Sequence, residues 1–291
     1  MPRNLILGIS DNYNYYHLSR FFESLFRTGY DGHVVLYAGP NTGPNTLRKL
    51  HSLGVEVIRY ESRFPYIPVP HPDNFKSLPN NIHIYNFRHF LYYDYLLKHE
   101  SEFANVMLSD TRDVVFQKDP FAFPIADSLH VAMESREKSI GSCTYNSQWV
   151  LKGFGQAKLN ELSDKIVSCA GTTLGPMKHM KRYLNSMLHS IIGLNDAYNC
   201  ADQAVHNALL YAGALQPVSR LFNDRTPILT VGHEFSFQHD SEGYLLDGSG
   251  YRSNTVHQYD RHPTLMKTID DLVFPNKLRK SYLRLRYKLM P

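Results

Sequence analysis

The chain has 291 residues, 43% apolar and 20% charged, with 31 Lys and Arg against 27 Asp and Glu for a net charge of +4. That length suits one large domain or two small ones and supplies ample apolar material for a core. It excludes a disordered, collagenous or coiled-coil chain, and so small a charge excess is no nucleic-acid footprint.

The apolar run Asn4–Ser10 (NLILGIS) predicts a buried strand. His17–Tyr30 places Leu18, Phe21, Phe22, Leu25 and Phe26 at helical spacing, and Gly29 and Gly32 then punctuate a turn. Gly32–Gly39 (GHVVLYAG) predicts a second strand, Thr46–Leu53 a short helix capped by Gly54, and Val55–Tyr60 a third strand. This β-α-β-α-β order argues for an α/β fold, a parallel sheet with helices on both faces. Residues 61–81 hold Pro65, Pro68, Pro70, Pro72 and Pro79 and read as a loop rather than a domain linker. Ile82–His99 predicts a long amphipathic helix and Phe103–Leu108 a fourth strand. The second half is less regular. It offers a Gly-Thr-Thr-Leu-Gly turn at 171–175, helices over 176–192 and 201–211, and a polar, Gly-rich strand-and-turn region over 230–260.

Twenty Tyr and 16 Phe suit either a ring-shaped polar ligand such as a sugar or simply an aromatic-rich core. Cys143, Cys169 and Cys200 form neither a disulfide framework nor a zinc motif, so a reducing compartment is expected. The run Leu5–Ile9 is too short for a signal-peptide core or a membrane span, and no later segment is long enough to cross a bilayer. The expectation is a soluble cytoplasmic protein, or one attached to a membrane from one side.

The strongest chemical signal is Asp110-x-x-Asp113 at the end of the fourth strand. Ligands of open α/β sheets collect beyond the carboxyl ends of strands. Two carboxylates there repel unless a cation lies between them, and a hard cation suits a diphosphate substrate. The alternative is a capped turn in which Arg112 neutralises its neighbours.

The run VMLSDTRDVVFQKDPF resembles the metal-binding segment of GT-A-fold glycosyltransferases, in which a strand delivers Asp-x-Asp or a variant followed by Asp-Val-x-Phe. Aligned on Asp-Val-Val-Phe, Asp113 matches the metal-binding second Asp. Asp110 lies one residue outside the usual first position, which Thr111 occupies. Three further segments resemble uncharacterised transferases of this fold: Asn86-Phe87-Arg88-His89-Phe90, the Gly-Thr-x-x-Gly stretch of 169–175, and the Asp-Gln-x-x-x-Asn stretch of 201–207. Val256-His257-Gln258-Tyr259-Asp260-Arg261 resembles a terminal motif whose His returns to the metal. The resemblance spans about residues 4–265.

It implies a single GT-A-like domain over 1–275, with a nucleotide-binding half to about residue 120 and an acceptor half beyond it. The implied activity is metal-dependent transfer of a hexosyl or pentosyl group from a nucleotide-diphosphate sugar to a hydroxyl of a glycan or glycoconjugate, as in polysaccharide biosynthesis. Mn²⁺ or Mg²⁺ would be held by Asp113, His257 and Asp110. Arg88, Asp110, Arg112 and Asp113 would contact the donor, and Gly171, Thr172, Asp202 and Gln203 the acceptor. Arg88 is forked and permanently charged, so it can pair a diphosphate; its bland role is a helix-surface bridge to Asp or Glu. An inverting enzyme would need a carboxylate base, for which Asp202 and Asp260 are the candidates; a retaining one would not. Asp202 and His206 share a helix face at i and i+4, though His206 reads better as a satisfied histidine. His233 and His239, on an expected edge strand, are given no role.

Two rivals stand beside this reading. One is a sugar nucleotidyltransferase, against which the first loop, Ser10–Tyr16, argues because it has neither Gly nor Lys. The other is a non-catalytic glycan- or nucleotide-binding protein of the same fold. The tail over 276–291 carries Lys277, Arg279, Lys280, Arg284, Arg286 and Lys288 and no acidic residue. Leu278, Tyr282, Leu285 and Leu289 form one apolar stripe at helical spacing. Such a helix either lies on an anionic membrane, near a lipid-linked acceptor, or packs its stripe on the domain.

Overall fold

The computed structural model describes residues 2–60, 82–234 and 236–288; the proline-rich loop expected over 61–81 lies outside them. In the first part β1 (Arg3–Ser10), α1 (Tyr15–Arg27), β2 (His33–Ala38), α2 (Pro44–Ser52) and β3 (Glu56–Arg59) alternate as the sequence predicts. Gly54 ends α2 with φ +77°, a left-handed conformation that glycine adopts without steric cost. Next come α3 (Ile84–Lys98), β4 (Phe103–Ser109) and β5 (Val114–Phe116). β6 (Leu129–Met133), α4 (Thr144–Phe154), α5 (Gln156–Leu162), β7 (Ser168–Pro176), α6 (Met177–Ile192) and α7 (Asp202–Tyr211) follow. The last part holds β8 (Val218–Leu221), β9 (Ile228–Thr230), the small hairpin β10 (Gln238–His239) and β11 (Leu245–Leu246), β12 (Thr255–His257), α8 (Pro263–Val273) and α9 (Lys277–Leu283).

The central sheet has seven strands in the order β3-β2-β1-β4-β7-β6-β8. Four neighbouring pairs are parallel; β7 runs antiparallel to both β4 and β6. Alternation along β1 divides the core. Leu5 and Leu7 pack with α3 and α6 on one face, and Ile6 packs with α1 and α8 on the other. A second sheet, β5-β12-β9, stands beside the first.

Three expectations need correction. Residues 171–175 are not a turn but the interior of β7, fully or nearly fully buried. The glycines there answer to close packing rather than to chain reversal. α3 is not amphipathic, because α6 and the sheet enclose it and even Asn86, Arg88 and His89 are buried. His233 lies in a turn, with Nε2 3.2 Å from Glu134, and only His239 is on a strand. All three cysteines are free and buried.

The tail begins as expected, with the Asn276 side chain accepting from the Leu278 amide. Its register then changes through a turn of π-helix over Arg284–Lys288. Leu283 and Tyr287 enter the core, while Leu278, Tyr282 and Leu285 are exposed, so the predicted stripe is not the packed face. Leu289 lies outside the described residues. Among the described residues no helix is long and apolar enough to cross a membrane.

Candidate functional site

The order of the central sheet reverses between β1 and β4, where strands on either side of β1 leave in opposite directions. Such a switch point opens a crevice at the carboxyl ends of the strands. Here the crevice is an open cleft of about 400 Å³, lined by Asp11 and Tyr13 after β1, by Asp110–Asp113 after β4, and by residues of α3, α4, β7, α7 and the chain after β12. Its size matches a small-molecule site.

Two ladders assemble the floor. Antiparallel pairing of β4 with β7 sets Ser109 opposite Thr172, and the Asp110 amide donates to the Gly171 carbonyl at 2.7 Å. Antiparallel pairing of β5 with β12 sets Val114 opposite His257, and the Gln258 amide donates to the Asp113 carbonyl at 2.9 Å. The result is a cluster of Asp110, Asp113 and His257, with one ligand atom from each lying within 4.8 Å of the others. His257 Nε2 is 3.5 Å from Asp110 Oδ2 and 3.7 Å from Asp113 Oδ2. That nitrogen is buried without a hydrogen-bond partner among the described residues. A Cβ on Gly171 would stand 2.4 Å from Asp110 Oδ2 and 2.5 Å from His257 Cε1, so only glycine leaves room for the cluster.

The donor set fits a divalent cation. Two carboxylates and one imidazole suit Mn²⁺ as well as Mg²⁺, and the orphaned nitrogen faces the oxygens. Burial and the neighbouring Asp110 push the Asp113 carboxyl above its ordinary range, despite His257. Burial opposes charge on His257, yet Cys169, Asp113 and Asp110 carry its pKa well up. The pair of carboxylates therefore draws positive charge to this point.

Arg88 is not a surface residue. Its Nη1 hydrogen-bonds Asp110, while Nε and Nη2 reach Asp202 Oδ2 at 2.9 and 2.6 Å. His89 Nε2 adds a contact to the same oxygen at 2.9 Å. Burial raises the Asp110 carboxyl, but Arg88 and His257 outweigh it and hold the group well below its usual range. Asp202 follows the same pattern, with Arg88 and His89 overcoming burial.

The other predicted residues are distributed unevenly. Gln203 lines the cleft and donates to Asn146 at 3.0 Å. Gly171 lines it too, but Thr172 is fully buried, with Oγ1 3.5 Å from His257 Nδ1 beneath the cluster. Arg112 is half-exposed at the rim and pairs with Asp260 at 2.6 Å, and Asp260 does not line the cleft. His206 diverges from Asp202. It is fully buried, 2.9 Å from both Tyr183 and Ser168, which bears out the satisfied-histidine reading.

Several residues escaped sequence reasoning. Cys169 Sγ lies 3.6 Å from His257 Nδ1, opposite the orphaned nitrogen. Gln258 adopts left-handed backbone at φ +65° and donates to Glu134 and Cys169, each at 3.3 Å. Tyr13, His83, Tyr85 and Trp149 supply the cleft's aromatic walls. Cys169 and Gln258 lie within the 169–175 and 256–261 motifs; the aromatic residues carry no local signal, since the sequence is aromatic throughout. No protein-family model and no curated protein sequence matches the chain.

Proposed function

We propose that the chain is a GT-A-like, metal-dependent glycosyltransferase that moves a hexosyl or pentosyl group from a nucleotide-diphosphate sugar to a glycan or glycoconjugate hydroxyl. One observation carries this reading: Asp110, Asp113 and His257 converge at a strand-order reversal, on the floor of a cleft of ligand size. A Mn²⁺ or Mg²⁺ ion held by these three would act as a Lewis acid toward the leaving diphosphate.

This chain's own residues then divide the work. Arg88 is spent on Asp110 and Asp202, so it positions the metal-side carboxylate rather than reaching for the diphosphate. Arg112 and Arg261 line the cleft and are the cations placed to pair phosphate oxygens. Tyr13, Tyr85 and Trp149 offer ring faces to a base or sugar. Neither candidate base is a free carboxylate: Asp202 is held anionic by Arg88, and Asp260 is tied to Arg112. Asp202 so held is a weak proton acceptor, and Asp260 does not line the cleft, which favours a retaining transfer.

The same pairing of Asp202 and Asp260 also favours a second reading, a nucleotide-sugar-binding protein without turnover. A panel of nucleotide sugars tested by thermal shift with Mn²⁺, followed by nucleotide release with an added glycan acceptor, separates the two. Stabilisation by one donor class with release supports transfer. Stabilisation without release leaves the binding protein, and no stabilisation by any donor overturns both.

A further inference from the structure

The C-terminal segment presents an apolar face that the fold leaves uncovered. Leu278, Tyr282 and Leu285 are 79%, 51% and 60% exposed. The segment is nonetheless seated: Leu283 and Tyr287 are buried, Tyr287 packs on Tyr15 at 5.1 Å between ring centroids, and Arg279 and Lys280 pair with Glu23 and Asp270 at 2.6 Å each. The exposed stripe is therefore held outward by a docked element rather than waved on a loose end.

Charge identifies what would cover it. The tail contributes six of the 31 basic side chains and no acidic one, so the rest of the chain has 25 against 27 acidic residues. The whole positive excess of the protein sits on this short segment. Among the described residues, no carboxylate lies within ion-pair distance of Arg284 or Arg286. The Arg286 guanidinium lies 5.6 Å from the ring centres of both Tyr282 and Tyr287, joining charge to the apolar face. On α2, Lys49 lies 5.5 Å from the ring centre of Tyr15, the residue on which Tyr287 packs, so it extends the basic surface.

We propose that this face docks on an anionic lipid bilayer, with Leu278, Tyr282 and Leu285 entering the interface and Arg284 and Arg286 meeting lipid headgroups. An exposed apolar stripe flanked by cations is the pattern of an interfacial helix that lies in the membrane plane. A protein partner of the same apolar chemistry would not call for a segment with six basic side chains and no acidic one.

The test is co-sedimentation of the full chain with phosphatidylcholine vesicles, with and without phosphatidylglycerol, at low and high salt. Two variants accompany it: Leu278→Ser with Tyr282→Ser and Leu285→Ser, and Arg284→Gln with Arg286→Gln. All five side chains lie on the exposed tail, and an unchanged melting temperature confirms that each variant is folded. The native chain is expected to bind only vesicles containing phosphatidylglycerol and to release them as salt rises. Each variant should bind at least about tenfold more weakly, since each basic residue near such a surface contributes a several-fold factor. Equal binding by native chain and variants, or equal binding to neutral vesicles, overturns the proposal. So does a lipid-free dimer that the triple serine variant dissociates, which would give the stripe to a second copy.

Discussion

His257 Nε2 faces Asp113 Oδ2 at 3.7 Å because the backbones of the two residues are joined, His257 beside Val114 in one ladder and Gln258 bonded to the Asp113 carbonyl. The side chains meet as a consequence of strand pairing, not of their own attraction. A late strand thus completes a site begun far earlier in the chain, and its geometry is set before any cation arrives.

The space around His257 and Asp110 is set by Gly171. Replacing it with Ala puts a methyl group into Asp110 and His257. The expected result is a Mn²⁺ affinity at least about tenfold lower and a stability loss of about 1–3 kcal/mol from overpacking. Calorimetric titration with Mn²⁺ and urea unfolding read the two effects separately. An Ala variant that binds Mn²⁺ as tightly as the native chain would show that the cluster is not the cation site.

Arg88 and Arg112 should respond in opposite ways. A Lys at position 88 cannot bridge Asp110 and Asp202 as the fork does, and each charge-assisted hydrogen bond lost costs about 1.5–3 kcal/mol. Arg88→Lys should therefore lower the urea midpoint clearly. Arg112 is half-exposed, and its pair with Asp260 contributes no more than about 1 kcal/mol. Arg112→Ala should leave the midpoint nearly unchanged and weaken nucleotide-sugar binding instead. Equal midpoint shifts in the two variants would remove the positioning role assigned to Arg88.

The buried His206 gives a pH dependence that does not pass through the cluster. Burial depresses its pKa to about 4, below the value of about 6.5 in an unfolded chain. Between those values the unfolded chain holds a proton that the folded chain does not. Stability is therefore complete above pH ~6.5 and falls as the pH drops toward ~4. His206→Gln should be destabilising at pH 7.5, and that penalty should shrink by about 2 kcal/mol at pH 5, because only the native chain loses stability through this residue. Urea unfolding at the two pH values checks it; a penalty independent of pH would mean that His206 is not neutral when folded.

The first four strands and their helices were legible because each announces itself locally, by apolar runs in β1, β2 and β4 and by helical spacing in α1. Asp110, Asp113 and His257 were legible as chemistry, though their meeting depends on the pairing of β5 with β12, which no local pattern encodes. The tail stripe is legible as apolar, but a continuous α-helical spacing hides the π turn that sends Leu283 and Tyr287 inward. Gly171 and Gly175 read locally as a turn because glycine signals both turns and close packing, and only their distant neighbours, Asp110 and His257 beside Gly171 and Ser128 and Leu129 beside Gly175, decide between them. Arg88 looked available for a ligand because its two partners lie far away in sequence.

The most direct measurement is Mn²⁺-dependent release of nucleoside diphosphate from a nucleotide sugar, compared between the native chain and Asp113→Ala. The native chain should release the nucleotide only with the metal present, and the variant should lose that release while keeping its melting temperature in metal-free buffer. Metal-dependent release that survives unchanged in the folded Asp113→Ala chain would contradict the assignment of the Asp110, Asp113 and His257 cluster as the centre of the reaction.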